Sequence, residues 1–99
     1  MSDRLLELRE KIDSLDQQIQ TLITERASVA QQVAEAKQES NDSVFYRAER
    51  EAQVLRRVME RNNGPLSNEE MARLFREIMS ACLALEQVMA IALDRKSVV

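Results

Sequence analysis

The 99-residue chain contains no histidine, no tryptophan, one cysteine (Cys82) and a single glycine-proline pair, Gly64-Pro65. Without histidine and with one cysteine, neither a zinc site nor a Ser-His catalytic triad is expected. A single glycine excludes a glycine-rich phosphate-binding loop. A lone cysteine cannot form an internal disulfide and fits a reducing compartment, so we expect a cytoplasmic protein. If the chain is an enzyme, it works by positioning and charge rather than through a nucleophile or a metal ion.

Long hydrophobic runs and basic clusters are also scarce. No apolar stretch approaches the roughly 20 residues that a membrane span needs, and the opening MSDRLLEL has no signal-peptide core. The net charge is −3, and the basic residues are interleaved with acidic ones, which argues against a nucleic-acid surface. We therefore expect neither a membrane nor a nucleic acid as partner.

Helix-forming residues dominate what is present. Aromatic residues make up 3% of the chain and charged residues 31%, and the apolar residues repeat at helical spacing. We predict an all-α fold with three helices in one domain over residues 1–99. The first helix should run from about Leu5 to about Lys37 and the second should begin near Arg47. The break NNGP ends the second helix, and Ser67 opens a capping box for the third.

The predicted first helix carries an apolar seam that is interrupted only at Arg26. At 1.5 Å per residue this helix is about 50 Å long, whereas a compact chain of this length has a radius of gyration of about 13 Å. One protomer cannot cover such a seam, so we predict that a second copy buries it in a homodimer. The seam consists of Leu5, Leu8, Ile12, Leu15, Ile19, Leu22, Val29, Val33 and Ala36.

A guanidinium at a seam position needs an anionic partner, because burying an unpaired charge is costly. For Arg26 that partner is a protein carboxylate or a bound ligand, and a polar seam residue can also simply set the oligomeric state. The combination with other charges favours a pocket for a ligand that carries more than one negative charge. These charges are Arg9 and Lys37 beside the seam, and Arg47, Arg50 and Glu51 in the second helix.

Three separated segments carry a resemblance to a known family. LREKIDSLDQQIQ, RAERE and LFREIMSACLALEQ closely resemble the all-α chorismate mutases, above all the N-terminal mutase domain of bifunctional chorismate mutase/prephenate dehydratase proteins. The match covers about residues 5–90. It implies an intertwined homodimer of three-helix chains, with two sites that each use residues of both chains. It also implies a cofactor-free Claisen rearrangement of chorismate to prephenate in phenylalanine and tyrosine biosynthesis.

The implied substrate suits the charges of the seam. Chorismate is a dianion with two carboxylates, and its breaking C–O bond develops negative charge on the ether oxygen. Arginine side chains bind carboxylates bidentately, and donors fixed near the ether oxygen stabilise charge that appears only in the transition state. Holding the enolpyruvyl arm over the ring supplies the rest of the acceleration.

The resemblance also implies roles for individual residues. Arg26 and Arg9, the latter reaching from the partner chain, resemble the carboxylate clamps. Lys37 resembles the residue that contacts a carboxylate and the ether oxygen. Glu51 matches the acid that holds the ring hydroxyl, and Arg50 precedes it as in the family's RE pair.

Three of the implied site positions depart from the family pattern. Cys82 stands where a serine often contacts a carboxylate, which suggests a backbone or shape role. Glu86 stands where a glutamine often donates to the ether oxygen, so it must be protonated to help, and with Lys37 it is an implied catalytic residue. Arg47 stands where an aspartate is common, and the loop at residues 38–46 is one residue longer than in the family.

Two other functions are compatible with the sequence. An isochorismate-pyruvate lyase shares the implied fold, although Lys37, Glu51 and the third-helix motif favour the mutase. A non-catalytic helical dimer would pair Arg26 with an internal acid and would turn over no chorismate. Residues 94–99 (DRKSVV) have no clear apolar period and fit either the end of a free-standing mutase or a junction to a longer protein.

Overall fold

The computed structural model describes the backbone of residues 2–40 and 44–98 and the side chains of residues 2–37 and 48–86. The described chain is helical and holds no strand, so the predicted all-α fold with three helices is confirmed. The helices are α1 (Asp3–Ser40), α2 (Val44–Arg61) and α3 (Asn68–Val98).

The helix ends differ slightly from the sequence prediction. The first helix, predicted to end at about Lys37, continues through a polar segment to Ser40, and α2 begins at Val44 rather than near Arg47. Helix α3 continues through the aperiodic segment 94–98. Within the described part of the chain, no helix is long and apolar enough to span a membrane.

Serine side chains cap the starts of α1 and α3. The backbone N–H of Leu5 donates to Ser2 Oγ at 3.2 Å, and that of Glu70 donates to Ser67 Oγ at 3.1 Å. Each bond satisfies a backbone donor that has no partner within its helix. The second bond confirms the capping position predicted at Ser67.

The turn between α2 and α3 is held by one asparagine. Asn62 Nδ2 donates to the Leu66 carbonyl at 2.9 Å and to Asn68 Oδ1 at 2.8 Å. Gly64 lies between them with a φ of +81°, a conformation that glycine adopts without the steric cost of a Cβ. This turn reverses the chain, so that α3 runs back along α2.

Helix α3 packs against both other helices, whereas the described parts of α1 and α2 do not approach each other closely. Ala30 and Ala34 lie one turn apart on α1, and both are buried. Among the residues whose side chains are described, the core of the single chain is small, and the part of α1 that contributes to it is the C-terminal half. Its buried apolar residues are Ala30, Ala34, Val58, Ala72 and Cys82.

The N-terminal half of α1 extends away from this core. The molecule measures 63 × 29 × 14 Å, and its radius of gyration is 17.9 Å, well above the ~13 Å of a compact chain of this length. Large apolar residues of the seam are exposed in the single chain, with accessible fractions between 38% and 63%. They are Leu5, Leu8, Ile12, Leu15, Ile19, Leu22, Val29 and Val33.

Candidate active site

A cavity of about 690 Å³ lies between the three helices, and its volume is in the range of small-molecule sites. All three helices contribute side chains to its lining. Six of the eight site residues expected from the sequence are among them: Arg26, Lys37, Arg50, Glu51, Cys82 and Glu86.

Helix α1 supplies one side of the cavity through five residues of a single face. They are Arg26, Val29, Ala30, Val33 and Lys37, and their steps of three and four residues place them along one side of the helix. Arg26 and Lys37 are both half-buried. Three apolar residues therefore separate two cations that line the same cavity.

Helix α2 contributes residues between positions 49 and 56 to the lining of the cavity. Arg50 is exposed and Glu51 is half-buried, and both line the cavity. Arg50 Nη1 donates to Gln53 Oε1 at 2.7 Å, a short contact between residues one turn apart. Because the amide is neutral, it orients Arg50 without cancelling its charge.

Helix α3 closes the cavity with residues that again share one face. Met79, Cys82, Leu83 and Glu86 line it at the three-four spacing of a helix. Cys82 is buried and carries a free thiol, and Arg26 Nη1 donates to its Sγ at 3.3 Å. This contact joins α1 to α3 across the floor of the site.

No carboxylate of the described residues lies within ion-pair distance of Arg26. Glu70 and Arg73, at 2.6 Å, do form such a pair, but on the exposed surface of α3. The structural alternative, in which Arg26 pairs with an internal acid, thus finds no support in the described part of the chain. Besides Arg26, the lining carries the cations Lys37, Arg50 and Arg56 and the acids Glu49, Glu51 and Glu86. Its cations outnumber its acids by one, which suits an anionic ligand.

The remaining two expected site residues are not among those that line the cavity. Arg9 is exposed and lies seventeen residues before Arg26 on the same helix, about 25 Å away along its axis. It therefore cannot reach the cavity of its own chain. Arg47 is part of α2, but its side chain lies outside the described residues.

Several residues of the lining were not predicted from the sequence. Gln53 and Val54 follow Arg50 by about one turn, and Met79 and Leu83 lie beside Cys82 on α3. Helical spacing from the recognised residues was the signal that could have identified them. What spacing could not reveal is which faces of the three helices meet.

The family model for chorismate mutase type II matches residues 8–87, a range that includes every residue of the cavity lining. The chain belongs to the chorismate mutase type II family. The residues that line the cavity thus all lie in the part of the chain that matches this family.

Curated relatives support the same family. The bifunctional chorismate mutase/prephenate dehydratase of Stutzerimonas stutzeri is 60% identical over 95 residues, which cover 92% of this chain and 26% of that protein. The bifunctional protein of the same name from Pseudomonas aeruginosa is 57% identical over 94 residues, covering 91% of this chain and 26% of that protein. The chain therefore spans about a quarter of the length of these relatives.

Solved structures of chorismate mutases share the fold. The Helicobacter pylori chorismate mutase, determined in complex with prephenate, has a TM-score of 0.78 at 26% identity, covering 90% of this chain and 96% of that one. The Thermus thermophilus chorismate mutase (form II) has a TM-score of 0.77 at 28% identity, covering 86% and 96%. This family member thus resembles chorismate mutases over nearly their whole length.

Proposed function

We propose that the chain catalyses the rearrangement of chorismate to prephenate, in the cytoplasm, as a step of phenylalanine and tyrosine biosynthesis. Membership of the family and a neighbour determined with prephenate support this activity. The observation that carries it is the cavity in which Arg26 and Lys37 face one space and no described carboxylate pairs with Arg26. Such a cavity suits a dianion.

Arg26 binds a substrate carboxylate in this proposal. Its planar guanidinium offers paired donors that match the two oxygens of a carboxylate. Lys37 contacts the second charged end of the substrate and the ether oxygen. As the C–O bond breaks, negative charge grows on that oxygen, and the fixed ammonium stabilises the transition state more than the ground state.

The α2 residues orient the ring. Glu51 is half-buried in the lining and accepts a hydrogen bond from the ring hydroxyl. Arg50, restrained by Gln53, adds a positive charge at the cavity edge. Together these contacts hold the substrate in the folded conformation from which the two reacting carbons can bond, which lowers the entropic part of the barrier.

Glu86 occupies the part of the lining contributed by α3. In the protonated state its carboxyl group donates a hydrogen bond to the ether oxygen, whereas a carboxylate only accepts. Cys82 lies one turn earlier, beside Arg26. Arg47, near the start of α2, is proposed as a further substrate contact.

We propose further that the active species is an intertwined homodimer. The exposed apolar residues of the α1 seam extend from Leu5 to Val33. A second copy of the same helix carries the same apolar pattern and could cover this seam in a symmetric dimer. Arg9 of each chain would then complete the site of the other, because about 25 Å of helix separate it from its own cavity.

The product of the reaction tests the proposed function. Purified protein is incubated with chorismate, and the products are identified by chromatography and mass spectrometry. Prephenate in amounts equal to the chorismate consumed is expected. Incubation with isochorismate provides the comparison, because formation of salicylate and pyruvate without prephenate would identify a lyase, and no turnover of either compound would refute both activities.

A further inference from the structure

Cys82 lines the cavity, and the proposed mechanism does not use the chemistry of its thiol. Its side chain is 5% exposed, and it lies on the face of α3 that closes the cavity. Its polar partner among the described residues is Arg26, whose Nη1 donates to Sγ at 3.3 Å. The thiol therefore contacts the guanidinium that is proposed to bind the substrate.

Sulfur is a weak, neutral hydrogen-bond acceptor. It can fix one N–H of a guanidinium in space without cancelling the positive charge, as a carboxylate at the same place would do. A guanidinium carries five N–H donors in a rigid plane. Once Nη1 of Arg26 is held by Cys82, the plane and its remaining donors have a defined direction.

We propose that Cys82 is a positioning residue for Arg26. Its Sγ holds the guanidinium across the α1–α3 contact, so that the charge of Arg26 stays uncompensated and its other donors are preorganised for a substrate carboxylate. The inference rests on the proposed function. It differs from a direct contact between the thiol and the substrate, and from a role of Cys82 in packing alone.

Variants of Cys82 separate a polar role from packing alone. Cys82→Ala removes the acceptor, whereas Cys82→Ser keeps one. If the thiol positions Arg26 or contacts the substrate, Ala is the damaging change and Ser is tolerated. If Cys82 only fills space, Ser is no better than Ala, because both are smaller than cysteine and leave volume unfilled.

The first experiment measures chorismate mutase kinetics and thermal unfolding for both variants. Cys82→Ala should lower kcat/KM about five- to tenfold, the loss expected for one hydrogen bond that orients a binding group. The loss should fall mainly on KM, because a carboxylate clamp acts on the ground state and the transition state alike. Cys82→Ser should restore most of the loss. Ser80→Ala, an exposed change on the same helix outside the lining, is the matched control.

The second experiment is a double-mutant cycle with Arg26→Ala. A residue that acts through Arg26 has nothing to position once Arg26 is truncated, so adding Cys82→Ala should then change kcat/KM less than about twofold. If Cys82→Ala does not fold, Cys82→Val replaces it, since valine fills the space and also lacks the acceptor.

Three results would overturn the inference while leaving the proposed function intact. They are wild-type kinetics in Cys82→Ala, equal damage by Ser and Ala, or the full Cys82→Ala loss in the Arg26→Ala background. The last would mean that the thiol acts on the substrate directly. Absence of chorismate turnover in the unmodified protein would instead overturn the proposed function, and the inference with it.

Discussion

Arg26 and Lys37 line one cavity from the same face of α1, eleven residues apart. Eleven residues are about three helical turns, or ~16 Å along the axis. Because both cations stand on one rigid helix, their separation is set before a ligand arrives, and little ordering remains to oppose binding. An anion with two charged groups is the ligand that this arrangement suits.

Arg26→Ala should abolish most chorismate turnover and leave the fold intact. No described carboxylate lies within ion-pair distance of Arg26, so under the proposed function truncation removes a ligand contact and not a structural pair. We expect a loss of about 3 kcal/mol in transition-state binding, on the order of a hundredfold in kcat/KM. Steady-state kinetics measures kcat/KM, and circular dichroism measures the helix content that reports on the fold.

Arg73→Ala is the matched control for this change. Arg73 pairs with Glu70 on the exposed surface of α3, and such pairs contribute little. It should therefore keep wild-type kinetics. Unchanged activity in Arg26→Ala, or loss of its helical signal, would favour a structural role for Arg26.

The exposed seam predicts an obligate dimer. Sedimentation equilibrium should give twice the mass of one chain at micromolar concentration, with no folded monomer. Replacing Ile12 and Ile19 together by Asp should prevent both association and turnover, because the charges would have to be buried in an apolar interface. Gln17→Glu adds a charge on another face of α1 and should do neither. A folded and active monomer would refute this prediction.

Glu86 predicts a pH dependence of the reaction. In the proposed function the protonated carboxyl donates a hydrogen bond to the ether oxygen, whereas the carboxylate cannot donate and repels the charge that develops there. The protonated fraction falls as pH rises, so kcat/KM, measured from about pH 5 to pH 9, should fall with rising pH.

Glu86→Gln should remove most of that fall, because the amide donates at every pH. Glu77→Gln changes an exposed acid of α3 outside the lining and should retain the wild-type profile. Coincident profiles for wild type and Glu86→Gln would show that Glu86 is not the donor.

Much of this architecture follows from local patterns in the sequence. The three-four apolar spacing, the NNGP break and the serine cap predict three helices, because each is a property of a few neighbouring residues. The shared face of Arg26 and Lys37 follows from helical geometry in the same way. The motifs that resemble the family identified six residues that the structure brings to one cavity.

Other features depend on how the helices meet and could not be predicted from local patterns. The contact between Arg26 and Cys82 joins residues 56 positions apart, and it depends on the packing of α3 against α1. The place of Gln53 in the lining likewise depends on which face of α2 turns inward. The extension of α1 to Ser40 shows that a polar composition alone does not end a helix.

The central claim is that two copies of the chain build each site for a dianion. Arg9→Ala and Arg26→Ala chains, each nearly inactive alone, are unfolded, mixed in equal amounts and refolded. Half of the dimers would then be mixed, and each would hold one site with both arginines intact. Prephenate formation should recover to about a quarter of the wild-type rate, the share expected for a symmetric dimer. A mixture no more active than its components, although mixed dimers form, would contradict a site shared between chains.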